Sequence, residues 1–119
     1  MITKVAFFCY AVSDIPKARK FYEGFLGLKS GTEFPAKEGA YFIEYEIGDN
    51  TLAIGCSPEW PTSETGASIA LEVDDLETWI TKAKDAGITI KNGPHDFPTC
   101  KMIVLCDPDK NPIVLHAKK

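Results

Sequence analysis

At 119 residues the chain has the length of one compact domain with a core of its own. Its 45% hydrophobic and 25% charged residues are ordinary globular composition, which sets aside disorder and fibres. A net charge of −4, with Arg19 the sole arginine and no basic cluster, sets aside nucleic acid, and no apolar run is long enough to imply a membrane.

The first strand is predicted over Val5 to Val12, a β-branched and aromatic run. Asp14 then stands where an N-cap belongs and Pro16 fits the first helical turn. Ile15, Ala18, Phe21, Tyr22 and Phe25 follow at helical spacing as one apolar stripe, and Gly27 ends the helix. Residues 29–34, 41–47 and 51–57 read as three strands, broken by Pro35-Ala36-Lys37-Glu38-Gly39 and by Gly48-Asp49-Asn50. Ser57 to Gly66, with two prolines and an exposed-looking Trp60, reads as a linker. The order then repeats: a strand over Ala67 to Val73, a helix capped by Asp75 with its stripe at Leu76, Trp79, Ile80 and Ala83, a stop at Gly87, and strands near 88–91, over Lys101 to Cys106 and over Pro112 to Ala117. The last two are joined by the tight turn Asp107-Pro108-Asp109-Lys110-Asn111. The N-terminus lacks a signal-peptide pattern. Cys9, Cys56, Cys100 and Cys106 show no CxxC spacing and read as reduced thiols, with Cys9 as core filler and Cys100 in a loop; this favours a cytoplasmic location.

The two halves match at an offset of 61 residues. Val12-Ser13-Asp14-Ile15 returns as Val73-Asp74-Asp75-Leu76, and Asn50 to Ile54 as Asn111 to Leu115. Between these anchors Gly27-Leu28 returns as Gly87-Ile88, one residue out of step. The chain therefore reads as two tandem βαβββ modules, about 1–57 and about 67–119 around a linker of about 58–66, forming a single α+β domain over 1–119. A pseudo-two-fold would then relate two curved mixed sheets enclosing a cleft. Strand alternation separates the faces. Phe8, Tyr10, Val12, Leu52 and Ile54, with Ile69, Leu71, Val73, Ile113 and Leu115, are all apolar and belong against the helices. The other side carries Phe7, Cys9, Ala11, Thr51, Ala53 and Gly55 in the first module, and Ser68, Ala70, Glu72, Pro112, Val114 and His116 in the second. That mixture of small and polar side chains suits a ligand cleft.

Val12-Ser13-Asp14-Ile15, Lys20-Phe21-Tyr22, Leu26-Gly27-Leu28, Ile69 to Asp74 and Asp107 to Ile113 together resemble the glyoxalase/bleomycin-resistance/dioxygenase (vicinal oxygen chelate) superfamily over nearly the whole chain. The resemblance implies that superfamily's fold, and a divalent metal held by His, Glu or Gln from the first and last strands of each module. Carried over residue by residue, those positions are Phe7, Ala53, Ser68 and Val114, none of which is a usual ligand, and a shift of one residue either way supplies none. Lys110 also stands where the family's Asp-Pro-Asp-Gly turn has glycine. No metal and no cofactor is therefore expected.

His116, Glu72 and Cys9 are the catalytic candidates: an imidazole able to shuttle protons, a rim carboxylate and a thiol with nothing nearby to activate it. Each also has a structural reading as a solvated strand end or core filler. Phe7, Cys9, Ala53, Ser68, Val114 and His116 are expected to line the cleft, with Trp60 and Phe97 as aromatic walls and His95 in a loop over its entrance, Asn92 to Pro98. Two functions follow. The first is a metal-free binding protein for an unidentified small molecule, similar to the drug-sequestering branch of the superfamily. The second is a glyoxalase-like lyase or dioxygenase-related enzyme with an atypical site. The resemblance also implies a homodimer.

Overall fold

The computed structural model describes residues 1–35 and 39–119; of the break expected at 35–39, Ala36, Lys37 and Glu38 lie outside the described residues. The chain divides into two compact units, Met1–Ser63 and Glu64–Lys119, with the boundary inside the expected linker.

In the first unit, β1 (Phe8–Ala11) leads to α1 (Ile15–Arg19), which continues as a π-helical segment (Lys20–Phe25), and then to β2 (Ser30–Pro35), β3 (Tyr41–Ile47) and β4 (Asn50–Cys56). The second unit runs β5 (Ile69–Glu72), α2 (Leu76–Asp85), β6 (Ile90–Asp96), β7 (Cys100–Cys106) and β8 (Pro112–Lys118). The sheets have the orders β1-β4-β3-β2 and β5-β8-β7-β6. In each the first strand pairs parallel with the last and the other pairs are antiparallel. These are the two βαβββ modules expected, with identical topology.

The repeat is exact in register. Phe8–Leu52, Cys9–Ala53, Tyr10–Ile54 and Ala11–Gly55 face each other in the first sheet; adding 61 to every number gives Ile69–Ile113, Ala70–Val114, Leu71–Leu115 and Glu72–His116 in the second. The one-residue slip between Gly27 and Gly87 also has a structural cause. In the first helix, Leu26 N–H donates to the Phe21 carbonyl at 2.9 Å, five residues back, and the π segment absorbs the extra residue that the regular α2 lacks. Register is regained in the last hairpin. Ile47 opposite Asn50 closes the first, whereas Cys106 opposite Pro112 leaves the longer turn Asp107–Asn111. That turn is held from inside: one oxygen of the buried Asp107 carboxylate accepts the Asn111 and Asp109 backbone N–H groups at 2.8 and 2.9 Å, and the other the Asn111 side-chain amide at 2.7 Å. Lys110 then takes the left-handed conformation, φ 68°, that the family's glycine would take without strain.

Both helices start as expected. Asp14 accepts the Lys17 N–H at 3.0 Å, and Asp75 accepts the Thr78 hydroxyl at 2.9 Å and its N–H at 3.4 Å. Gly27 and Gly87 have φ 75° and 69°, the left-handed stop that other residues resist. The first core joins Ala18, Phe21, Tyr22 and Phe25 to Tyr10, Ile43, Tyr45, Leu52 and Ile54, with the Tyr22 and Tyr45 rings stacked at 6.1 Å. The Tyr45 hydroxyl, carried inward with its ring, donates to Glu23 at 2.8 Å, and Arg19 binds the same carboxylate oxygen at 3.2 Å. Burial and that bond push the Tyr45 phenol far up. Arg19 also reaches Glu33, where the Tyr41 hydroxyl at 2.6 Å is the main influence holding the carboxyl below its ordinary range. In the second unit Leu76, Ile80 and Ala83 join Ile103, Leu105, Ile113 and Leu115 in the buried core.

Four expectations are corrected. The strand over Val5 to Val12 is only Phe8–Ala11, paired with Leu52 to Gly55 of β4; Phe7 lies before the ladder. Likewise Ala67 to Val73 shortens to Ile69–Glu72. The loop expected over Asn92 to Pro98 is, as far as Asp96, strand β6. It tolerates Pro94 because it is an edge strand with two register shifts against β7. Cys100, expected in a loop, is the first residue of β7. Among the described residues no helix is long and apolar enough to cross a membrane.

Candidate functional site

With one side of each sheet against its helix, chemistry falls to the other side. In the first unit that side carries Phe42 and Glu44 from β3, Cys9 from β1, Ala53 and Gly55 from β4 and Phe34 opposite Phe42. Phe7, just before β1, packs edge-on against Phe42 at 5.6 Å, and Phe34 lies 6.0 Å from the same ring. Trp60 completes the cluster. A turn in which the Trp60 N–H donates to the Ser57 carbonyl at 3.0 Å brings its indole back over Gly55 and edge-on to Phe42 at 6.5 Å. A Cβ at Gly55 would stand 2.6 Å from an indole carbon, so glycine is what seats the tryptophan. Phe7, Phe34 and Trp60 remain 47%, 47% and 46% exposed, so these rings face solvent rather than plug a core. Together with Ala40, Tyr41, Phe42 and Glu44 they line a pocket of about 330 Å³.

The second unit's open face differs. His116 Nδ1 and Glu72 Oε1 are 2.6 Å apart on the adjacent strands β8 and β5, and the other Glu72 oxygen accepts the Lys118 N–H at 2.9 Å. These contacts, the Lys118 N–H foremost, hold the Glu72 carboxyl below its ordinary range. Met102 faces His116 from β7, and His95 faces Met102 from β6. The His95 ring bonds Asn92 at 3.0 Å and stacks on Phe97 at 5.8 Å.

Of the residues singled out in the sequence, Phe7 and Trp60 meet in the aromatic pocket. Cys9 and Ala53 sit beside it in the row Cys9–Ala53–Glu44. His116 and Glu72 touch each other. Val114 is their neighbour on β8, Ser68 is exposed just before β5, and Phe97 is exposed in the β6–β7 turn. Cys9 is not core filler: it is exposed on the open face, because the helix covers only the opposite side. Desolvation by its neighbours still pushes its thiol up, toward the unreactive form. Phe34, Phe42 and Glu44 were missed; the period-2 alternation of Tyr41–Ile47 would have found the last two.

The chain belongs to the glyoxalase/bleomycin resistance protein/dioxygenase superfamily, whose family model matches residues 4–115. A protein named metallothiol transferase FosB, from Staphylococcus epidermidis, is 30% identical over 124 residues, covering 97% of this chain and 82% of that protein. TnmS3, an antibiotic binding protein from Streptomyces sp. CB03234, has a similar structure, with TM-score 0.79 at 22% identity over 99% of this chain and 98% of that one. The fosfomycin resistance protein FosX from Listeria monocytogenes matches with TM-score 0.80 at 16% identity, over 100% of this chain and 96% of that one. At those identities the two structures establish the fold alone.

The positions that match the superfamily's metal ligands do not fit a metal. Phe7 offers a ring packed on Phe42, Ala53 a buried methyl group, Val114 an aliphatic side chain, and Ser68 a single exposed hydroxyl. His116 and Glu72 make a pair, but among the described residues no three His, Cys, Asp or Glu side chains come together.

Proposed function

We propose that this member of the superfamily is a metal-free binding protein for a planar, largely apolar small molecule, held by stacking on the open face of the first sheet. The observation that carries the proposal is the set of half-exposed rings Phe7, Phe34 and Trp60 gathered on Phe42 around a pocket of about 330 Å³, a volume in the range of small-molecule sites. Each ring brings a large apolar surface that stays preorganised when a flat ligand displaces water from it. The donor-poor positions Phe7, Ala53, Ser68 and Val114 support binding without a metal. A homodimer in a reducing, cytoplasmic setting belongs to the same reading and is supported by the family resemblance and by four free cysteines.

The test is calorimetric titration of chelator-treated protein with Zn²⁺, Ni²⁺, Mn²⁺ and Fe²⁺, followed by a thermal-shift screen of flat aromatic metabolites and antibiotics. No stoichiometric metal uptake, together with stabilisation by aromatic compounds, is expected. Tight binding of one metal per chain would overturn the proposal.

One observation favours a second, enzymatic reading. In the His116–Glu72 pair the carboxylate holds the imidazole through its Nδ1 in one orientation, the arrangement a general base needs. It also has company in the metallothiol transferase name of a 30% identical relative. This reading requires turnover of a thiol-transfer or glyoxalase-type substrate that is lost in His116→Gln and kept in Phe42→Ala. The absence of turnover across such a panel would remove it.

A further inference from the structure

We infer that the aromatic pocket selects an organic cation, with Glu44 as the residue that reads the charge; the inference rests on the binding function proposed above. Glu44 follows Phe42 by two residues on β3, so its carboxylate stands on the same open face, one side-chain step along from the central ring of the cluster. Its neighbour across the ladder is Ala53, whose methyl group rises too little to cover or pair with it, and beyond Ala53 comes Cys9. Among the described residues no hydrogen bond or ion pair engages Glu44, although its side chain is half-buried. Its nearest acidic companion on the strand differs in this respect: Glu46 accepts the Thr51 hydroxyl at 2.9 Å.

Among the described residues no lysine or arginine lines the pocket, and Arg19, the chain's sole arginine, is engaged by Glu23 and Glu33. Among the described residues an anion beside four aromatic rings is thus left without a counter-charge. The faces of Phe42, Phe34, Phe7 and Trp60 are themselves negative, through their quadrupoles. Ring faces and carboxylate favour the same occupant, a flat ligand carrying a delocalised or quaternary positive charge, which gains cation–π attraction from the rings and Coulomb attraction from Glu44. A neutral flat ligand would leave the half-desolvated carboxylate unpaired, and an anion would be repelled. The second sheet shows that the fold does not require this charge, because the position matching Glu44 in its register is Val104, opposite Val114.

The test is calorimetry of the chelator-treated protein with two ligands of nearly one shape, quinoline, which is neutral at neutral pH, and N-methylquinolinium, a fixed cation. Wild type should bind the cation about tenfold more tightly, a preference that shrinks with added salt. Glu44→Gln should erase the preference, whereas Glu46→Gln should keep it, which separates a local contact from the overall acidity of the chain. Equal affinity of wild type for the two ligands would overturn the inference about charge while the aromatic binding site stands. Binding of neither ligand, with a concentration-dependent self-association that Trp60→Ala disperses, would make the ring cluster an interface between copies of this chain and overturn both.

Discussion

The two sheets share strand order, register and helix placement, yet their open faces are chemically unlike. Across the first sheet one row reads Phe34, Phe42, Gly55, Ala11; the matching row of the second reads His95, Met102, His116, Glu72. On the helix-covered side the same comparison gives Tyr10 and Leu71, Leu52 and Ile113, Ile54 and Leu115. The frame thus constrains the covered side to apolar volume and leaves the open side to diverge. Where the second sheet carries a His–Glu pair, the first carries glycine and alanine, and the space above the glycine is taken by Trp60. One position of the repeat has become an aromatic wall in one unit and an oriented imidazole in the other.

This contrast can be broken or sharpened by paired substitutions. The largest effects belong to the covered side. Leu52→Ala and its counterpart Ile113→Ala should each cost about 3 kcal/mol in chemical denaturation, since both side chains are fully buried, and neither should alter where a ligand binds. A large difference between the two would deny the equivalence of the cores. On the open side equivalence should fail. Phe42→Ala should weaken binding of a flat aromatic ligand about tenfold, and Met102→Ala at the matching position by less than about twofold, as read by calorimetry.

A smaller effect is expected from Gly55→Ala. Its methyl group would meet the indole 2.6 Å away and lift Trp60 off the sheet. Tryptophan emission should shift toward that of solvated indole, and affinity should fall about threefold. The smallest effect concerns pH. The folded state holds the Glu72 carboxyl below its ordinary value of 4.5, so its contribution is complete above that value and is lost as pH falls through the lowered one. The protection factor of the Lys118 amide, which bonds Glu72, should fall over that acidic window in wild type and stay level in Glu72→Gln.

The fold was largely legible because its signals are local or repeated. Asp14 and Asp75 cap, Gly27 and Gly87 stop, and the offset of 61 residues fixes which strands correspond. Strand ends were not legible. Val5 to Phe7 have the residue types of a strand but lie before the ladder with β4, and Asn92 to Asp96 look like a loop because glycine and proline are tolerated at a sheet edge. The site was legible only in part. Phe7, Trp60, His116 and Glu72 stood out as residue types, but the meeting of His116 with Glu72 depends on β5 lying beside β8, 44 residues away in sequence. Phe34 and Phe42 were passed over as strand residues, since the same aromatics would serve a core on the other face. Glu44 was passed over because a lone carboxylate on a strand gains meaning only from the rings around it.

The measurement that bears most directly on the ring cluster as the binding site is a nuclear magnetic resonance titration of the chelator-treated, isotope-labelled protein with N-methylquinolinium. Shifts should concentrate at the Trp60 indole N–H and at the amides of Phe42, Glu44, Ala53 and Gly55, with those of Met102, Val114 and His116 nearly still. Shifts gathered instead around Met102 and His116 would move the site to the second sheet and contradict the assignment.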